Sequence, residues 1–342
     1  MSADAAFLMD AQTGTALYAK DAYTRRPPAS TTKIMAGIVA LEIGNLSDVV
    51  TISRRAAYTE GSSMYLKEGE NVTLEDLIYG ALMQSGNDAC VAIGEHLCGS
   101  EDVYVELMNR KAQAIGAWDT NFKNPHGLPA GGHYSTAFDL ALLARYALRN
   151  EKFQEIVKTK IKTVAREDEV WGNVIQSTNS LLWDYEGADG VKTGTTAEAG
   201  QCLVASATRG GRQLIAVVLN SSDRWVDAVS LLDYGFQSSI LLSFGKMGDQ
   251  VTQVEVAQGK EEKVDLVLAR DLDVVVAKEK VEQLKQVLVL NESLAVAPLQ
   301  QGEVLGEMQV HLEGKVMKRV ALVAAKEVQK RSFLQSVFPL SL

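Results

Sequence analysis

Apolar residues along this chain repeat first at strand spacing and then at helix spacing. Residues 7–9 and 16–19 are short apolar runs on either side of a turn that contains Gly14, which predicts a hairpin of two strands. From Thr31 onward the apolar residues recur every three or four positions until Gly44 ends the run. The chain is therefore expected to begin with β structure and to continue with a helix.

Further helical periodicity fills the next hundred residues. Thr73 and Thr136 are each followed three residues later by an aspartate, a pattern that resembles an N-terminal capping box. The predicted helices cover residues 74–83, 89–96, 103–115 and 137–149. The middle of the chain is therefore predicted to be mainly helical.

Strand patterns return after these helices. The lysines within residues 158–162 alternate with apolar or β-branched neighbours and predict one solvated strand face. Residues 202–208 and 213–219 predict two strands joined across Gly210-Gly211, a pair that can supply positive φ angles in a tight hairpin. One more helix is predicted near residues 224–234.

The chain is expected to form two domains, because 342 residues exceed what one ordinary core holds. A seam is predicted at residues 243–248. Beyond it apolar residues often skip one position, as at Val254 and Val256 or at Met308 and Val310, with turns that contain glycine between the segments. We expect a domain over residues 1–243 that carries the chemistry and a β-rich domain over residues 249–342, a small antiparallel sandwich.

Composition and charge narrow the class of protein. Apolar residues make up 46% and charged residues 23%, which is typical of a globular chain. The net charge of −9 argues against nucleic acid as a partner. The start of the sequence lacks the basic and apolar regions of a signal peptide, and no apolar run is long enough to span a membrane.

The three cysteines show no spacing of the zinc-binding type, and no metal or other cofactor is predicted. Cys90 and Cys98 lie eight positions apart in one predicted helix. That separation of about 12 Å is too long for a disulfide. Together with Cys202 they are predicted to be free thiols.

Three short motifs suggest the chemistry: Ser30-Thr31-Thr32-Lys33, Ser85-Gly86-Asn87 and Lys192-Thr193-Gly194. A Ser-x-x-Lys motif arises by chance about once in a chain of this length, so it means little alone. The ordered set is typical of serine β-lactamases and penicillin-binding proteins. Its placement on a helix start, an interhelical turn and a predicted strand favours a serine acyl-transfer enzyme.

Physical chemistry gives each motif a task. Ser30 and Lys33 lie one helical turn apart, so the amine reaches the hydroxyl. Burial and the charge of Lys192 are both expected to lower the pKa of Lys33 so that it can act as a base. The Ser30 amide and the Thr195 amide are candidate donors to an oxyanion, and Gly194 is expected to let the substrate backbone approach its strand closely.

Longer stretches carry a resemblance over nearly the full chain. They are PPASTTKIM from Pro27, LMQSGNDAC from Leu82, NPHGLPAGGHYSTAFDLALLARYAL from Asn124 and DGVKTGTTAEAG from Asp189. The chain resembles the low-molecular-mass penicillin-binding proteins of the serine D-Ala-D-Ala carboxypeptidase family. The resemblance implies an α+β fold of the penicillin-recognising, β-lactamase-like type, with an antiparallel five-stranded sheet flanked by helices, a helical subdomain and a C-terminal all-β domain.

The resemblance also implies roles for the motif residues. Ser30 would be the nucleophile, Lys33 the general base, and Ser85 and Asn87 the proton-relay and substrate-amide contacts. Lys192 and Thr193, with Gly194 and Thr195, would form the substrate-binding strand. Arg224, which lies after the strand over residues 213–219, is expected to bind the free carboxylate of the substrate, because a guanidinium matches carboxylate geometry. His126 is expected only to shape its loop.

The implied activity is removal of the terminal D-alanine from peptidoglycan stem peptides, with β-lactams as covalent inhibitors. The resemblance also implies an extracytoplasmic location on the cell-wall side of the bacterial membrane, with the signal peptide missing here. Apolar pairs at Phe333-Leu334 and Val337-Phe338 lie four positions apart after Lys330 and Arg331. We interpret them as the start of an amphipathic tail that makes peripheral membrane contact.

Three alternatives stay open at this point. A serine β-lactamase shares the nucleophile, base and strand motif, but its Glu-x-x-Leu-Asn element does not occur between Asn87 and Lys192. A non-enzymatic penicillin or cell-wall sensor would acylate and signal, although no signalling domain is evident. An endopeptidase that acts on cross-links with low activity is the third.

Overall fold

The computed structural model describes residues 1–166, 174–291 and 295–331. The chain divides into two units, Met1–Gln237 and Ser238–Leu342. Within the described residues, the strands of the first unit are β1 (Ala5–Asp10), β2 (Ala16–Lys20), β3 (Val49–Thr51), β4 (Asn71–Thr73), β5 (Ile161–Thr163), β6 (Val174–Gln176), β7 (Ala188–Thr196), β8 (Gly200–Arg209) and β9 (Arg212–Ser221). Its helices are α1 (Lys33–Ile43), α2 (Arg54–Ala57), α3 (Leu74–Tyr79), α4 (Asn87–Cys98), α5 (Glu101–Ile115), α6 (Ala137–Ala147), α7 (Glu151–Lys158), α8 (Leu181–Asp184) and α9 (Arg224–Ser238).

A five-stranded antiparallel sheet organises the first unit, in the order β2-β1-β9-β8-β7. This confirms the sheet that the resemblance implied and the predicted hairpin of β1 and β2. Gly210 and Gly211 have φ angles of 56° and 78°, so the predicted glycine turn joins β8 to β9. Strand β7, which carries the third motif, is the last strand in the order and lies at the edge of the sheet.

Both faces of this sheet are covered by helices because alternate side chains of each strand point to opposite sides. Phe7 and Met9 of β1 belong to one core together with the buried face of α1. Leu8 belongs to a second core with Leu231 and Leu232 of α9. The sheet therefore lies between two helical layers, and the first motif leads into α1 on the side of the larger core.

Local sequence signals explain where the main helices begin. The Thr73 hydroxyl accepts a hydrogen bond from the Asp76 amide, and the Thr136 hydroxyl accepts one from the Asp139 amide, which confirms both predicted caps. The helix predicted over residues 74–83 is shorter than expected. Helix α3 ends at Tyr79, and a π-helical turn over Gly80–Gln84 leads into Ser85, whose φ is +67°.

The prediction of one strand face over residues 158–162 is wrong. Lys158 is the last residue of α7, whereas Lys162 lies in β5. Phe153, Ile156 and Val157 are buried at helical spacing, and the Asn150 side chain accepts a hydrogen bond from the Phe153 amide. This cap and apolar face, which lie upstream of the lysines, determine the helix.

The second unit is built from strands, which confirms the predicted all-β character of the C-terminal region. Its described strands are β10 (Ser239–Ser243), β11 (Gln250–Ala257), β12 (Lys263–Leu268), β13 (Asp273–Ala277), β14 (Leu284–Leu290), β15 (Ala295–Val296), β16 (Val304–Leu312) and β17 (Lys315–Ala324). Six form a sheet in the order β14-β16-β17-β12-β11-β15, and β10 pairs with β13. One pairing, β11 with β15, is parallel and not antiparallel as predicted. The core contains Leu266, Val310 and Leu322.

Several expectations concern single residues or segments. Cys90, Cys98 and Cys202 are free thiols, as predicted. The apolar pairs at Phe333-Leu334 and Val337-Phe338 lie outside the described residues. Across the described ranges, no helix combines the length and the apolar character needed to cross a bilayer.

Candidate active site

Ser30 lies in a tight 3-10 turn, Ala29–Thr32, that runs directly into α1. The turn is held by the Thr31 hydroxyl, which donates a 2.6 Å hydrogen bond to the Pro28 carbonyl. Residues three positions apart lie above one another in a 3-10 turn, so Ser30 and Lys33 project from the same side. Ser30 is half-buried, whereas the Lys33 side chain is completely buried.

The Lys33 amine has three polar neighbours. Its Nζ lies 2.9 Å from Ser30 Oγ, 2.6 Å from Asn87 Oδ1 and 2.7 Å from the His126 carbonyl oxygen. Burial lowers the pKa of Lys33 to about 8. After deprotonation two N–H bonds remain, and the two oxygens of Asn87 and His126 can accept both. The nitrogen lone pair then faces the Ser30 hydroxyl, which is the geometry of a base beside its nucleophile.

The second motif joins the π-helical turn to α4. Asn87 is the first residue of α4, and its Nδ2 donates a 2.7 Å hydrogen bond to the Glu60 carbonyl, so its Oδ1 must face Lys33. The main-chain amide of Asn87 is held by the Ser62 carbonyl at 2.7 Å. Ser85 is buried, but its hydroxyl makes no hydrogen bond to Ser30 or Lys33 within the part of the chain that the structure describes.

The third motif places a second buried amine on β7. Lys192 is 1% exposed, and its Nζ donates to the Thr193 carbonyl at 3.1 Å. Burial and then the charge of Lys33 lower the pKa of Lys192. Burial is the largest cause of the lowered pKa of Lys33, in line with the expectation. The expected contribution of the Lys192 charge stays a prediction.

Gly194 brings β7 against the nucleophile turn. A Cβ atom on Gly194 would lie 2.9 Å from the Ser30 amide nitrogen and 3.1 Å from the Pro28 carbonyl oxygen. The protein's own turn therefore needs the space that a side chain would take here. The expected close approach of the substrate backbone at Gly194 stays a prediction. The neighbouring Thr193 hydroxyl is paired at 2.6 Å with that of Thr178, and Thr195 is exposed.

Arg224, the first residue of α9, reaches the end of the same strand. Its Nη1 donates to the Gly194 carbonyl and to the Thr195 hydroxyl, both at 2.9 Å, and to the Cys202 carbonyl at 3.2 Å. Among the described residues it has no acidic partner, its buried Nε has no hydrogen-bond partner, and burial lowers its pKa. A half-buried cation with neutral neighbours suits an incoming carboxylate.

Sequence reasoning missed the main-chain carbonyl of His126, which contacts both Lys33 and, at 3.4 Å, the Ser30 hydroxyl. The turn that presents it is held by Asn124, whose Oδ1 accepts from the Gly127 amide and whose Nδ2 donates to the Leu128 carbonyl. Every residue has a carbonyl, so a role of this kind has no side-chain signature. The Asn-Pro-His-Gly sequence signals only the turn.

Side chains suited to hold a metal do not cluster in the described ranges. Direct hydrogen bonds join the Lys33 amine to Ser30, Asn87 and His126. On one side of these atoms, Gly194 lets strand β7 lie against the Ser30 turn, and Arg224 places a cation at the end of that strand.

Two family profiles match the chain. The D-alanyl-D-alanine carboxypeptidase (Peptidase_S11) profile matches residues 1–223, and the penicillin-binding protein 5 C-terminal domain profile matches residues 243–330. The chain is 35% identical to the D-alanyl-D-alanine carboxypeptidase DacF of Bacillus subtilis, over 97% of this chain and 87% of that protein. It is also 35% identical to DacA of Escherichia coli, over 98% of this chain and 86% of that protein.

Solved structures agree with these matches. Penicillin-binding protein 5 of Haemophilus influenzae superposes with a TM-score of 0.87 at 32% identity, covering 96% of this chain and 98% of that one. A penicillin-binding protein 3 of Streptococcus pneumoniae, described as a peptidoglycan synthesis regulatory factor, superposes with a TM-score of 0.79 at 27% identity, covering 96% and 100%. The chain belongs to the serine-type D-alanyl-D-alanine carboxypeptidase family of low-molecular-mass penicillin-binding proteins.

Proposed function

We propose that this protein is a serine-type carboxypeptidase that removes the terminal D-alanine from peptidoglycan stem peptides through an acyl-enzyme on Ser30. One observation carries the proposal: the buried Lys33 amine lies 2.9 Å from Ser30 Oγ, with Asn87 and His126 accepting its other hydrogens. D-Alanine release from a diacetylated lysyl-D-Ala-D-Ala peptide, measured beside intact mass after brief exposure to benzylpenicillin, tests it.

In the acylation step Lys33 accepts the Ser30 proton while Oγ attacks the carbonyl carbon between the two D-alanines. The negative charge on the substrate oxygen is stabilised by the amides of Ser30 and Thr195. The proton then passes to the departing D-alanine nitrogen, with the Ser85 hydroxyl as relay. Water, activated by Lys33 in the same way, hydrolyses the ester and returns the proton to Ser30.

The substrate would lie along β7. An edge strand offers free main-chain groups, so an extended peptide can add to the sheet beside Lys192 and Thr193. Asn87 would contact the substrate amide through its side chain. A β-lactam would enter the same cleft, acylate Ser30 and inhibit the enzyme.

Arg224 is proposed to read the free carboxylate that distinguishes a chain end from an internal bond. Its guanidinium, half-buried and without an acidic partner in the described residues, supports this role. We expect Arg224→Ala to lower kcat/KM for peptides with a free terminal carboxylate. The decrease should correspond to a loss of about 1.5–3 kcal/mol of transition-state stabilisation. The same substitution should matter much less for the amidated peptide.

The comparison of the two peptides is the internal control for Arg224. Equal losses on both would mean that Arg224 supports β7 through Gly194 and Thr195 without reading the carboxylate. Arg149→Ala, at an exposed arginine that follows α6, provides a matched loss of one guanidinium and should leave both peptides unaffected.

The division of labour between the two parts of the chain is also proposed. Residues 1–243 would carry catalysis, and residues 249–342 would form a β-rich domain that takes no part in it, since every motif precedes residue 243. A chain that ends near Phe244 should therefore retain carboxypeptidase activity on small peptides. Loss of all activity in a fragment with a native circular dichroism spectrum and cooperative unfolding would mean that the C-terminal part completes the site.

Location and membrane contact follow from the substrate. A peptidoglycan-trimming enzyme must act on the cell-wall side of the membrane. Peripheral contact through the apolar pairs at 333–338 stays a prediction.

The assays of D-alanine release and of intact mass after benzylpenicillin also separate the alternative functions. Rapid hydrolysis of benzylpenicillin would indicate a β-lactamase, and stable acylation without D-alanine release would indicate a sensor.

A further inference from the structure

The side chain of His126 takes part in a second set of contacts behind the active site. The imidazole is 4% exposed, and its Nδ1 accepts a 3.3 Å hydrogen bond from the Leu128 amide. Since Nδ1 accepts, the proton of a neutral ring lies on Nε2. That nitrogen faces Glu101 Oε1 at 3.6 Å. The imidazole thus links the turn of residues 124–128, which presents the His126 carbonyl to Lys33, to Glu101, the first residue of α5.

Glu101 is itself fixed from the other side. Its Oε2 accepts a 2.8 Å hydrogen bond from Arg55 Nη2, so the carboxylate bridges the guanidinium and the imidazole. The His126 and Arg55 contacts hold the pKa of Glu101 below its ordinary value. Burial lowers the pKa of His126. A charged carboxylate therefore faces a neutral ring N–H at neutral pH.

The backbone of this loop is pressed against the nucleophile. Gly127 has a φ of +91°, and a Cβ atom there would lie 1.9 Å from the Ala29 carbonyl oxygen and 2.9 Å from the Ser30 amide nitrogen. The preceding carbonyl, that of His126, accepts the hydrogen bond from Lys33. A change in the position of the imidazole would therefore move the main chain of His126 and with it the carbonyl oxygen that orients the Lys33 amine.

We propose that Glu101 and His126 form a positioning pair for the acyl-transfer reaction. The carboxylate holds the imidazole, the imidazole fixes the turn, and the turn presents the His126 carbonyl to Lys33. The pair acts through Lys33 and does not touch the substrate. This inference rests on the proposed function, because it concerns the base of that reaction.

A rate effect without a binding effect would distinguish positioning from general support of the cleft. We expect Glu101→Ala to lower the first-order rate constant for acylation by nitrocefin about 10- to 100-fold, because misplacing a catalytic group by 1 Å can cost a factor of that size. The half-saturating nitrocefin concentration should stay close to the wild-type value.

Two further variants test whether the effect comes from the acceptor that Glu101 offers to His126 or only from the loss of a carboxylate in the first turn of α5. Glu101→Gln keeps an oxygen acceptor toward Nε2 and should lose clearly less activity than Glu101→Ala. Asp102→Ala removes the neighbouring carboxylate from the same first turn of α5, where it is exposed, and should acylate at the wild-type rate. Thermal unfolding of each variant checks that the fold is retained.

The combination of Glu101→Ala with His126→Ala tests whether the two residues act as one unit. If they do, the double variant should be no slower than the slower single variant, since removing either partner already frees the turn. Multiplicative losses, a wild-type rate in Glu101→Ala, or a loss confined to nitrocefin affinity would each overturn the pair. Failure of the wild-type protein to acylate would instead overturn the proposed function and the pair with it.

Discussion

Ser30→Ala is expected to fold normally and to gain no mass on exposure to benzylpenicillin, while the wild-type protein gains the mass of one penicillin. The reason is that the acyl-enzyme ester needs Oγ, the atom that lies 2.9 Å from the Lys33 amine. D-Alanine release should disappear with the adduct, because both reactions share the same first step. Intact-protein mass spectrometry and peptide mapping measure the first, and a D-alanine assay measures the second.

The Ser30 hydroxyl makes few contacts besides Lys33 and the His126 carbonyl, so its removal should leave the unfolding temperature near that of the wild type. Ser47→Ala, at an exposed serine of the same unit, is the matched control and should label fully. A penicillin adduct on the Ser30→Ala protein would refute the assignment of the nucleophile.

Lys33→Arg should lower the acylation rate by about 10²- to 10⁴-fold, because a guanidinium keeps its proton and cannot serve as a base. In the wild-type protein burial lowers the pKa of Lys33 to about 8, and only the deprotonated amine accepts the Ser30 proton. The wild-type rate should therefore rise as the pH increases through this pKa. The pH dependence of acylation, followed with a chromogenic β-lactam, is the measurement.

The arginine variant should lack this rise, since its side chain stays protonated over the same range. Lys123→Arg, at an exposed lysine of the same unit, controls for the substitution and should preserve both the rate and the pH dependence. Near-wild-type acylation by Lys33→Arg would remove Lys33 from the mechanism, whatever its distance from Ser30.

The motifs predicted much of the geometry because their spacing is coupled to local structure. A serine three residues before a lysine at a helix start places the hydroxyl and the amine on the same side of one turn. In the structure Ser30 Oγ and Lys33 Nζ lie 2.9 Å apart. The two threonine caps and the glycine hairpin were predictable for the same reason, since each depends on a few neighbouring residues.

Features that depend on distant contacts were missed or misread. Nothing around Gly194 reveals that the Ser30 turn, more than a hundred positions earlier, occupies the space of its missing side chain. The His126 carbonyl is invisible to a search for reactive side chains. The strand predicted over residues 158–162 failed because alternation in so short a segment could not outweigh the buried helical face of α7.

The hydrogen bonds of Lys33 also have a consequence for how the protein matures. Its acceptors Asn87 and His126 lie 54 and 93 positions further along the chain, and Gly194 follows later still. Closing such long loops is slow compared with forming a local helix. A folding intermediate that contains only α1 and the turn before it would hold the serine and the lysine without the oxygens that orient the amine. Covalent labelling by a fluorescent penicillin should therefore follow completion of the native topology, so the antibiotic can serve as a kinetic probe of chain folding.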